Sequence, residues 1–240
     1  MKTIAIIAAG GRGKRIESRH RRDEGKLPKQ FLILKDKPIL VHTVDKFEWC
    51  GLVDEIILVV PEGYLEYCSQ AIVDKYGFKK VRKVICGGNE RQDSVYLGLK
   101  ACPDNTSIVV IHDGVRPLIS PDKISESIKI CQEKKSAGSI GAVVLAVPVK
   151  ETIKRVEHGN IITTLDRDKL WLTQTPQTFE YKLVLDAYKK AEEDNFVGTD
   201  DSALVERLGC EVTILEGDYK NIKITTVEDL QVAEKLLEMG

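Results

Sequence analysis

The feature that most constrains the fold of this chain is a repeated alternation between short apolar runs and amphipathic stretches. The apolar runs are rich in Val and Ile and predict strands at residues 3–9, 55–61, 81–88, 107–113 and 141–149. The stretches between them carry apolar residues at helical spacing and predict helices at residues 38–50, 63–77, 90–102 and 122–135. Continuously apolar strands that alternate with helices are typical of a parallel sheet covered on both faces. The sequence therefore predicts an α/β fold with a mostly parallel sheet.

This alternation is interrupted between residues 150 and 175. Polar and apolar residues alternate there around the turn sequence His158-Gly159-Asn160, which predicts a hairpin-like β-arm. The α/β pattern then returns, with helices predicted at residues 180–193, 199–208 and 227–238 and strands at residues 210–215 and 221–224. Because no internal repeat or low-complexity linker is present, we predict one domain over residues 1–240, with residues 150–175 as a protruding insertion.

Charge, cysteine content and hydropathy limit the class of protein. The chain has 36 Lys and Arg against 37 Asp and Glu, whereas a general nucleic-acid-binding protein usually carries a basic excess. None of the six cysteines forms a C-x-x-C pair, which disfavours a zinc or thioredoxin-like site and favours a reduced, cytoplasmic protein. No apolar stretch approaches the length of a membrane span or of a signal peptide. We therefore expect no nucleic-acid or membrane partner.

Three predicted strands end in glycine or polar residues. Residues 10–15, 87–89 and 112–117 each follow an apolar run. In parallel sheets, ligands bind at the carboxyl ends of the strands. We therefore expect these three segments to converge on one pocket.

The first of these segments, GGRGKR, fits neither of two common phosphate-binding patterns. A dinucleotide fingerprint needs a third glycine where this chain has Ile16, which disfavours a dinucleotide-dependent oxidoreductase. A P-loop needs four residues between its glycines and then Lys-Ser or Lys-Thr. Two interpretations remain: a polyphosphate grip made by backbone N–H groups with Arg12, Lys14 and Arg15, or a solvated basic turn.

The later motifs also allow both a functional and a structural interpretation. Lys29 follows Pro28 in a rigid turn, or is ordinary solvated surface. Ser94 follows two glycines that permit close approach of a base or sugar, or that only form a tight turn. Asp113 and Arg116 offer a carboxylate and a cation to a substrate, or form a structural pair.

Two further positions lie near the end of the chain. Thr199, next to Asp200, is a candidate ligand residue or part of a helix N-cap. Lys223 alternates with Ile222 and Ile224 and so points away from them, either toward the pocket or toward solvent.

Taken together, eight motifs resemble the 2-C-methyl-D-erythritol 4-phosphate cytidylyltransferase family, in order and from about residue 3 to residue 237. The motifs are AAGGRGKR, PKQF, GGNERQDSV, HDGVRP, DRDKLW, QTPQTF, TDDSALVE and NIKIT. The resemblance implies a single Rossmann-like nucleotidyltransferase domain. It also implies transfer of CMP from CTP to 2-C-methyl-D-erythritol 4-phosphate, which gives 4-diphosphocytidyl-2-C-methyl-D-erythritol and pyrophosphate for isoprenoid precursor biosynthesis by the non-mevalonate pathway. The alternatives are a ribitol 5-phosphate cytidylyltransferase, which shares most of these motifs, and a catalytically inactive nucleotide-binding regulator.

The resemblance also implies a set of site residues. Four are catalytic: Arg15 and Lys29 on the triphosphate, Lys223 on the α-phosphate and Arg167 on the incoming phosphate. The residues implied to bind CTP are Ala8, Ala9, Gly10, Gly11, Gly88, Asn89 and Ser94. The residues implied to bind the alditol phosphate are Asp113, Arg116, Thr152 and Thr199, together with Arg167.

The same resemblance implies a cofactor and a partner. Mg²⁺ would be held mainly through the CTP phosphates, with no protein side chain assigned as a ligand. Thr152 and Arg167 would reach the site of a second subunit, so that residues 150–175 form a dimerisation arm in a homodimer.

Overall fold

A computed structural model describes residues 1–11 and 27–239 of the chain. Its strands are β1 (Lys2–Ala8), β2 (Ile33–Leu34), β3 (Lys37–Pro38), β4 (Glu55–Val60), β5 (Val81–Cys86), β6 (Thr106–Asp113), β7 (Ala142–Pro148), β8 (Lys154–Glu157), β9 (Asn160–Thr164), β10 (Trp171–Glu180) and β11 (Thr213–Glu216). Its helices are α1 (Ile39–Glu48), α2 (Leu65–Tyr67, continued as a π-helix over Cys68–Asp74), α3 (Arg91–Lys100), α4 (Pro121–Ser136), α5 (Tyr181–Glu193), α6 (Asp201–Arg207) and α7 (Val227–Glu238). Short 3₁₀ turns cover Lys29–Phe31 and Arg167–Lys169.

Seven of these strands form one sheet, in the order β11-β7-β10-β6-β1-β4-β5. All neighbouring pairs are parallel except those of β10, which runs antiparallel to both β6 and β7. The pairs β2–β3 and β8–β9 form two separate antiparallel hairpins. The prediction of a mostly parallel sheet is therefore confirmed.

Helices cover both faces of this sheet because the side chains of each central strand alternate between two apolar cores. In β1, Ala5 and Ile7 pack on the core that includes Phe47 of α1. Ile4 and Ile6 pack on the opposite core, which includes Leu99 of α3. Burial on both faces explains why the strands are continuous apolar runs in the sequence.

The arm is shorter than the sequence pattern predicts. The hairpin β8–β9 forms with His158 and Gly159 at positive φ in its turn. However, residues 171–175 belong to β10, and Trp171–Thr173 pair with β7 in the main sheet. The predicted arm of 150–175 was wrong in this part, because β10 has no apolar run: Trp171–Thr173 are exposed, and most of the buried positions that follow are polar. Its buried polar residues are Gln174, Thr175, Gln177 and Thr178.

A second predicted element also differs. Residues 221–224 form an irregular segment rather than the predicted strand. This segment is held by side chains instead of a ladder: Arg116 donates from Nη1 to the Asn221 carbonyl at 2.7 Å, and Asn221 Nδ2 donates to the Thr175 carbonyl at 2.9 Å. The Ile224 N–H donates to the backbone carbonyl of Val115 at 2.9 Å, whereas the N–H groups of Asn221 and Ile222 donate to nearby carbonyls of the preceding turn, those of Asp218 and Lys220.

All six cysteines are free thiols. Burial raises the pKa of Cys68, Cys102 and Cys131 to about 12, so these three remain protonated at neutral pH and pack as small apolar side chains. Over the described residues, no helix combines the length and apolar character needed to cross a bilayer.

Candidate active site

A cavity of about 600 Å³ lies at the carboxyl ends of β1, β5 and β6. It is lined by residues from the three strand ends, the Lys29 turn, the start of α3 and the segment that precedes α7. A volume of this size is within the range of small-molecule sites. The three segments expected to share one pocket therefore do so, as far as the structure describes them.

Ten of the site residues implied by the resemblance line this cavity. They are Ala8, Ala9, Gly10, Gly11, Lys29, Gly88, Asn89, Ser94, Asp113 and Lys223. All seven positions implied to bind CTP are in this group, as is Lys29, one of the two residues implied to hold the triphosphate.

The glycines at two strand ends allow β1, β5 and α3 to meet closely. A Cβ added at Gly10 would lie 2.8 Å from Ser94 Oγ, and one added at Gly87 would lie 2.6 Å from the same atom. The Ser94 hydroxyl accepts from the Gly88 N–H and donates to the Glu90 carbonyl, both at 3.1 Å. Small residues and one hydroxyl thus fix the backbone that lines this side of the cavity.

Lys29 is placed by a rigid turn beside the end of β1. The next residue, Gln30, is buried, and its Nε2 donates to the Ala9 carbonyl at 2.5 Å and to the Gly11 carbonyl at 3.4 Å. Phe31 is also buried and stacks on Tyr64 with ring centroids 5.3 Å apart. Sequence reasoning missed Gln30, and its position between Lys29 and a buried Phe31 in PKQF was the available signal.

Asp113 is the most buried charged group of the cavity wall. Its Oδ1 accepts from Arg91 Nε at 2.8 Å, while its Oδ2 lies 2.8 Å from Lys223 Nζ and 3.6 Å from Arg116 Nε. Burial alone would raise the pKa of Asp113, but the charges of Arg91, Lys223 and Arg116 outweigh it and hold that pKa well below its usual range. Asp113 is therefore a carboxylate at neutral pH. Arg91 was another residue that sequence reasoning missed.

His112 supports this carboxylate from behind. Burial lowers the pKa of His112 to about 3, so the imidazole is neutral at neutral pH. The backbone N–H of Asp113 donates to Thr175 Oγ1, whose hydroxyl lies 3.0 Å from His112 Nδ1. Thr175 therefore donates to Nδ1, and Nε2–H donates to the Arg116 carbonyl at 3.1 Å. This chain of hydrogen bonds fixes the turn after β6.

Arg116 and Thr199 do not line the cavity. The Arg116 side chain is largely buried behind Asp113, which is the structural-pair arrangement that the sequence left open. Thr199 is exposed, and the N-cap of α6 is Asp200, whose Oδ1 accepts from the Ala203 N–H at 2.9 Å.

Thr152 and Arg167 are exposed on the arm and are absent from the cavity lining of this subunit; Arg167 Nη1 donates to the Lys150 carbonyl at 2.9 Å. Arg15 lies outside the described residues, as do Arg12 and Lys14.

Comparison with known proteins identifies relatives over the full length of the chain. Residues 3–239 match the family described as IspD: 2-C-methyl-D-erythritol 4-phosphate cytidylyltransferase. The 2-C-methyl-D-erythritol 4-phosphate cytidylyltransferase of Alkaliphilus oremlandii (strain OhILAs) is 48% identical over 239 residues, covering 99% of this chain and 95% of the relative. That of Clostridioides difficile (strain 630) is 45% identical, covering 100% of this chain and 94% of the relative.

Solved structures agree with these sequence matches. The crystal structure of 4-diphosphocytidyl-2C-methyl-D-erythritol synthase from Anaerococcus prevotii superposes with a TM-score of 0.82 at 31% identity, covering 99% of this chain and 96% of that one. The 2-C-methyl-D-erythritol 4-phosphate cytidylyltransferase of Francisella tularensis gives a TM-score of 0.78 at 31% identity, covering 98% and 99%. The resemblance seen in the eight motifs is thereby confirmed, and so is the nucleotidyltransferase fold.

Proposed function

The chain belongs to the 2-C-methyl-D-erythritol 4-phosphate cytidylyltransferase family, and on that premise we propose that its cavity is the site where CMP is transferred from CTP to 2-C-methyl-D-erythritol 4-phosphate. The products are 4-diphosphocytidyl-2-C-methyl-D-erythritol and pyrophosphate. One observation carries this assignment to the cavity: Lys29, Lys223 and the ionised Asp113 converge there on the small residues that end β1 and follow β5.

The chemistry requires little activation of the nucleophile. The second pKa of a phosphate monoester is about 6, so its oxygens are mostly ionised at neutral pH. One of these oxygens attacks the α-phosphorus of CTP, and the bond to the bridging oxygen of pyrophosphate breaks as the new bond forms. A Ser-His-Asp or Cys-His set is therefore unnecessary. The step requires no proton transfer to or from the neutral, buried His112.

The larger barrier is the approach of two polyanions and the growth of charge on the leaving pyrophosphate. Cationic side chains fixed in advance lower such a barrier by positioning and electrostatic stabilisation. Lys29 and Lys223 supply two cations at the cavity, and Arg15 is proposed to supply a third on the triphosphate. Asp113 would accept from hydroxyl groups of the alditol, because it remains ionised.

We also propose a magnesium ion that is held mainly through the CTP phosphates. Glu90 and Asp113 are the acidic residues of the cavity lining, as far as the chain is described. Glu90 caps α3, and Asp113 already accepts from Arg91 and Lys223. No cluster of three or more potential metal-ligating side chains occurs within residues 1–11 and 27–239. This donor set fits an ion that takes phosphate oxygens as its main ligands and neutralises their charge.

A homodimer in the cytoplasm is the proposed working state. Val156, Ile161 and Ile162 are apolar and exposed on the β8–β9 hairpin, which is unusual for a surface without a partner. Thr152 and Arg167 lie on the same arm, outside the cavity of their own subunit. A second copy that receives this arm would bury the apolar face and gain both residues at its alditol phosphate site.

Parallel assays of pyrophosphate release test the assignment. CTP is offered with 2-C-methyl-D-erythritol 4-phosphate, with ribitol 5-phosphate and with no acceptor. We expect rapid release only with the methylerythritol phosphate. Preference for ribitol 5-phosphate would reassign the substrate, and tight CTP binding without release from either acceptor would favour an inactive regulator.

A further inference from the structure

Arg91 is a cation of the cavity wall that joins two carboxylates from separate elements. It is the first residue of α3, and its Nε donates to Asp113 Oδ1 at 2.8 Å. Its Nη1 and Nη2 donate to the two carboxylate oxygens of Asp201, at 2.8 and 2.7 Å. A planar guanidinium that binds one carboxylate with two donors and another with a third has its orientation fixed by geometry.

Asp201 acts as the fixed end of this arrangement. Its side chain is fully buried at the start of α6, and it also accepts from the Tyr188 hydroxyl of α5. Asp201 is absent from the cavity lining, whereas Arg91 and Asp113 both belong to it. Burial alone would lower the pKa of Arg91, but Asp201 and Asp113 outweigh it and keep that pKa above its ordinary value. Arg91 thus connects Asp113 at the cavity surface to a buried carboxylate whose position is fixed.

The first turn of α3 also holds the segment that precedes α6. Gln92 Nε2 donates to the Phe196 carbonyl at 2.9 Å, and Gln92 Oε1 accepts from the Gly198 N–H at 2.9 Å. Through Arg91 and Gln92, this turn therefore contacts both Asp113 and the segment that carries Thr199. Both of these were implied to bind the alditol phosphate.

Asp113 needs such an anchor during the reaction. Lys223 is paired with Asp113 at 2.8 Å, yet the proposed chemistry requires Lys223 at a phosphate. When Lys223 turns to the nucleotide, Arg91 still holds Oδ1, because its contact does not depend on Lys223. Arg116 is farther away, at 3.6 Å from Oδ2.

We propose that Arg91 is a positioning residue for the alditol phosphate, which holds the Asp113 carboxylate toward the cavity by tying it to the buried Asp201. This inference rests on the proposed function. A lysine could not replace Arg91, because one ammonium group is a point charge and cannot span both carboxylates.

The test compares Arg91→Lys with the wild-type enzyme in the full-length chain, with KM measured separately for each substrate. We expect KM for 2-C-methyl-D-erythritol 4-phosphate to rise by about tenfold or more, since small displacements of positioning groups have large effects. KM for CTP should stay within about threefold, because the residues implied to bind the nucleotide keep their own contacts.

Two further variants separate positioning from general destabilisation. Asp201→Asn weakens the anchor without altering any cavity residue, and should raise the same KM by a smaller factor. Ser127→Ala removes a buried hydroxyl of α4 that bonds Thr178 at 2.9 Å, and neither residue lines the cavity. This control should lower thermal stability and leave both KM values unchanged.

Each outcome decides one question. An inactive wild-type enzyme would count against the proposed function and not against the role of Arg91. With an active wild type, an unchanged KM for the methylerythritol phosphate in folded Arg91→Lys would overturn the inference, as would an equal rise in both KM values. If Arg91→Lys does not fold, an unchanged KM in folded Asp201→Asn overturns it instead.

Discussion

At the residue scale, the site depends on which buried groups are charged and which are neutral. Asp113 stays ionised because three cations surround it, whereas the adjacent His112 stays neutral because its surroundings exclude water. The neutral imidazole accepts from Thr175 and donates to the Arg116 carbonyl. A charged imidazole could not accept from Thr175 and would place a second cation near Arg116.

The burial of His112 predicts a pH-dependent stability. Its pKa is about 3 in the folded chain and close to 6.5 when unfolded, so the unfolded state binds the extra proton between these values. The contribution of the buried, neutral His112 to the free energy of unfolding is therefore complete above pH 6.5, and it is lost progressively as the pH falls toward 3. In urea unfolding, the free-energy gap between wild type and His112→Gln should therefore narrow by about 2 kcal/mol from pH 8 to pH 5.

Val109→Ala is the matched control for this measurement. It removes buried apolar volume from the same strand and no ionisable group, so its gap to wild type should be independent of pH. A gap for His112→Gln that stays constant over the same pH range would contradict the account of His112.

Sequence reasoning at this scale succeeded where neighbours in the chain are neighbours in space. Gly10 and Gly88 could be placed at the cavity because glycines after apolar runs mark strand ends, and Ser94 because it lies in the first turn of the helix that follows. Arg91 and Gln30 were missed because their partners are distant: Arg91 and Asp201 are 110 residues apart, and Gln30 and Ala9 are 21 residues apart. An arginine at the start of an amphipathic helix has the same sequence pattern whether it is solvated or buried between carboxylates.

At the element scale, the β-arm carries exposed apolar residues that packing within one subunit does not explain. The hairpin β8–β9 is exposed at every position, and it presents Val156, Ile161 and Ile162 to solvent. Its residues were predictable because a polar–apolar alternation around a Gly-containing turn favours a hairpin. Strand β10 was missed because Gln174, Thr175 and Gln177 are polar and yet buried, and their hydrogen-bond partners lie elsewhere in the fold.

Complementation between two inactive variants tests whether the arm serves a partner subunit. Lys29→Ala has a defective cavity and an intact arm, whereas Arg167→Ala has an intact cavity and a defective arm. If arms are exchanged in a twofold dimer, mixed dimers regain one complete site. After equimolar mixing and subunit exchange, we expect about a quarter of wild-type activity, since about half of the dimers are mixed and each has one working site.

The control is a mixture of Arg167→Ala with the double variant Lys29→Ala/Arg167→Ala, which cannot form a complete site. If the activity of the mixture of Lys29→Ala with Arg167→Ala only equals the sum of the activities of the two variants alone, the arm does not contribute to the catalytic site of a partner subunit. A fully active Arg167→Ala would do the same.

At the scale of the whole molecule, the position of the cavity follows from the order of the strands. The chain runs from β1 to β4 and β5 on one side of the sheet and then returns to β6 on the other side of β1. Ligand sites of open α/β sheets lie at such reversals, outside the carboxyl ends of the strands. The seven-stranded sheet thus brings Ala9, Gly88 and Asp113 to one cavity, and this convergence was predictable from the apolar runs and the glycine or polar residues that follow them. The antiparallel orientation of β10 within the sheet was not predictable from the sequence in this way.

The most direct test of the account follows separate phosphorus labels through one turnover of the wild-type enzyme and of Lys29→Ala. CTP is labelled at either the α- or the γ-phosphate and is offered with 2-C-methyl-D-erythritol 4-phosphate. We predict that all of the α-label enters 4-diphosphocytidyl-2-C-methyl-D-erythritol and that all of the γ-label leaves in pyrophosphate, with equal amounts of the two products. Lys29→Ala should form the same products about 10²–10³-fold more slowly, since one fixed cation is lost. Label released as CDP or orthophosphate, or Lys29→Ala turnover at the wild-type rate, would contradict CMP transfer at this cavity.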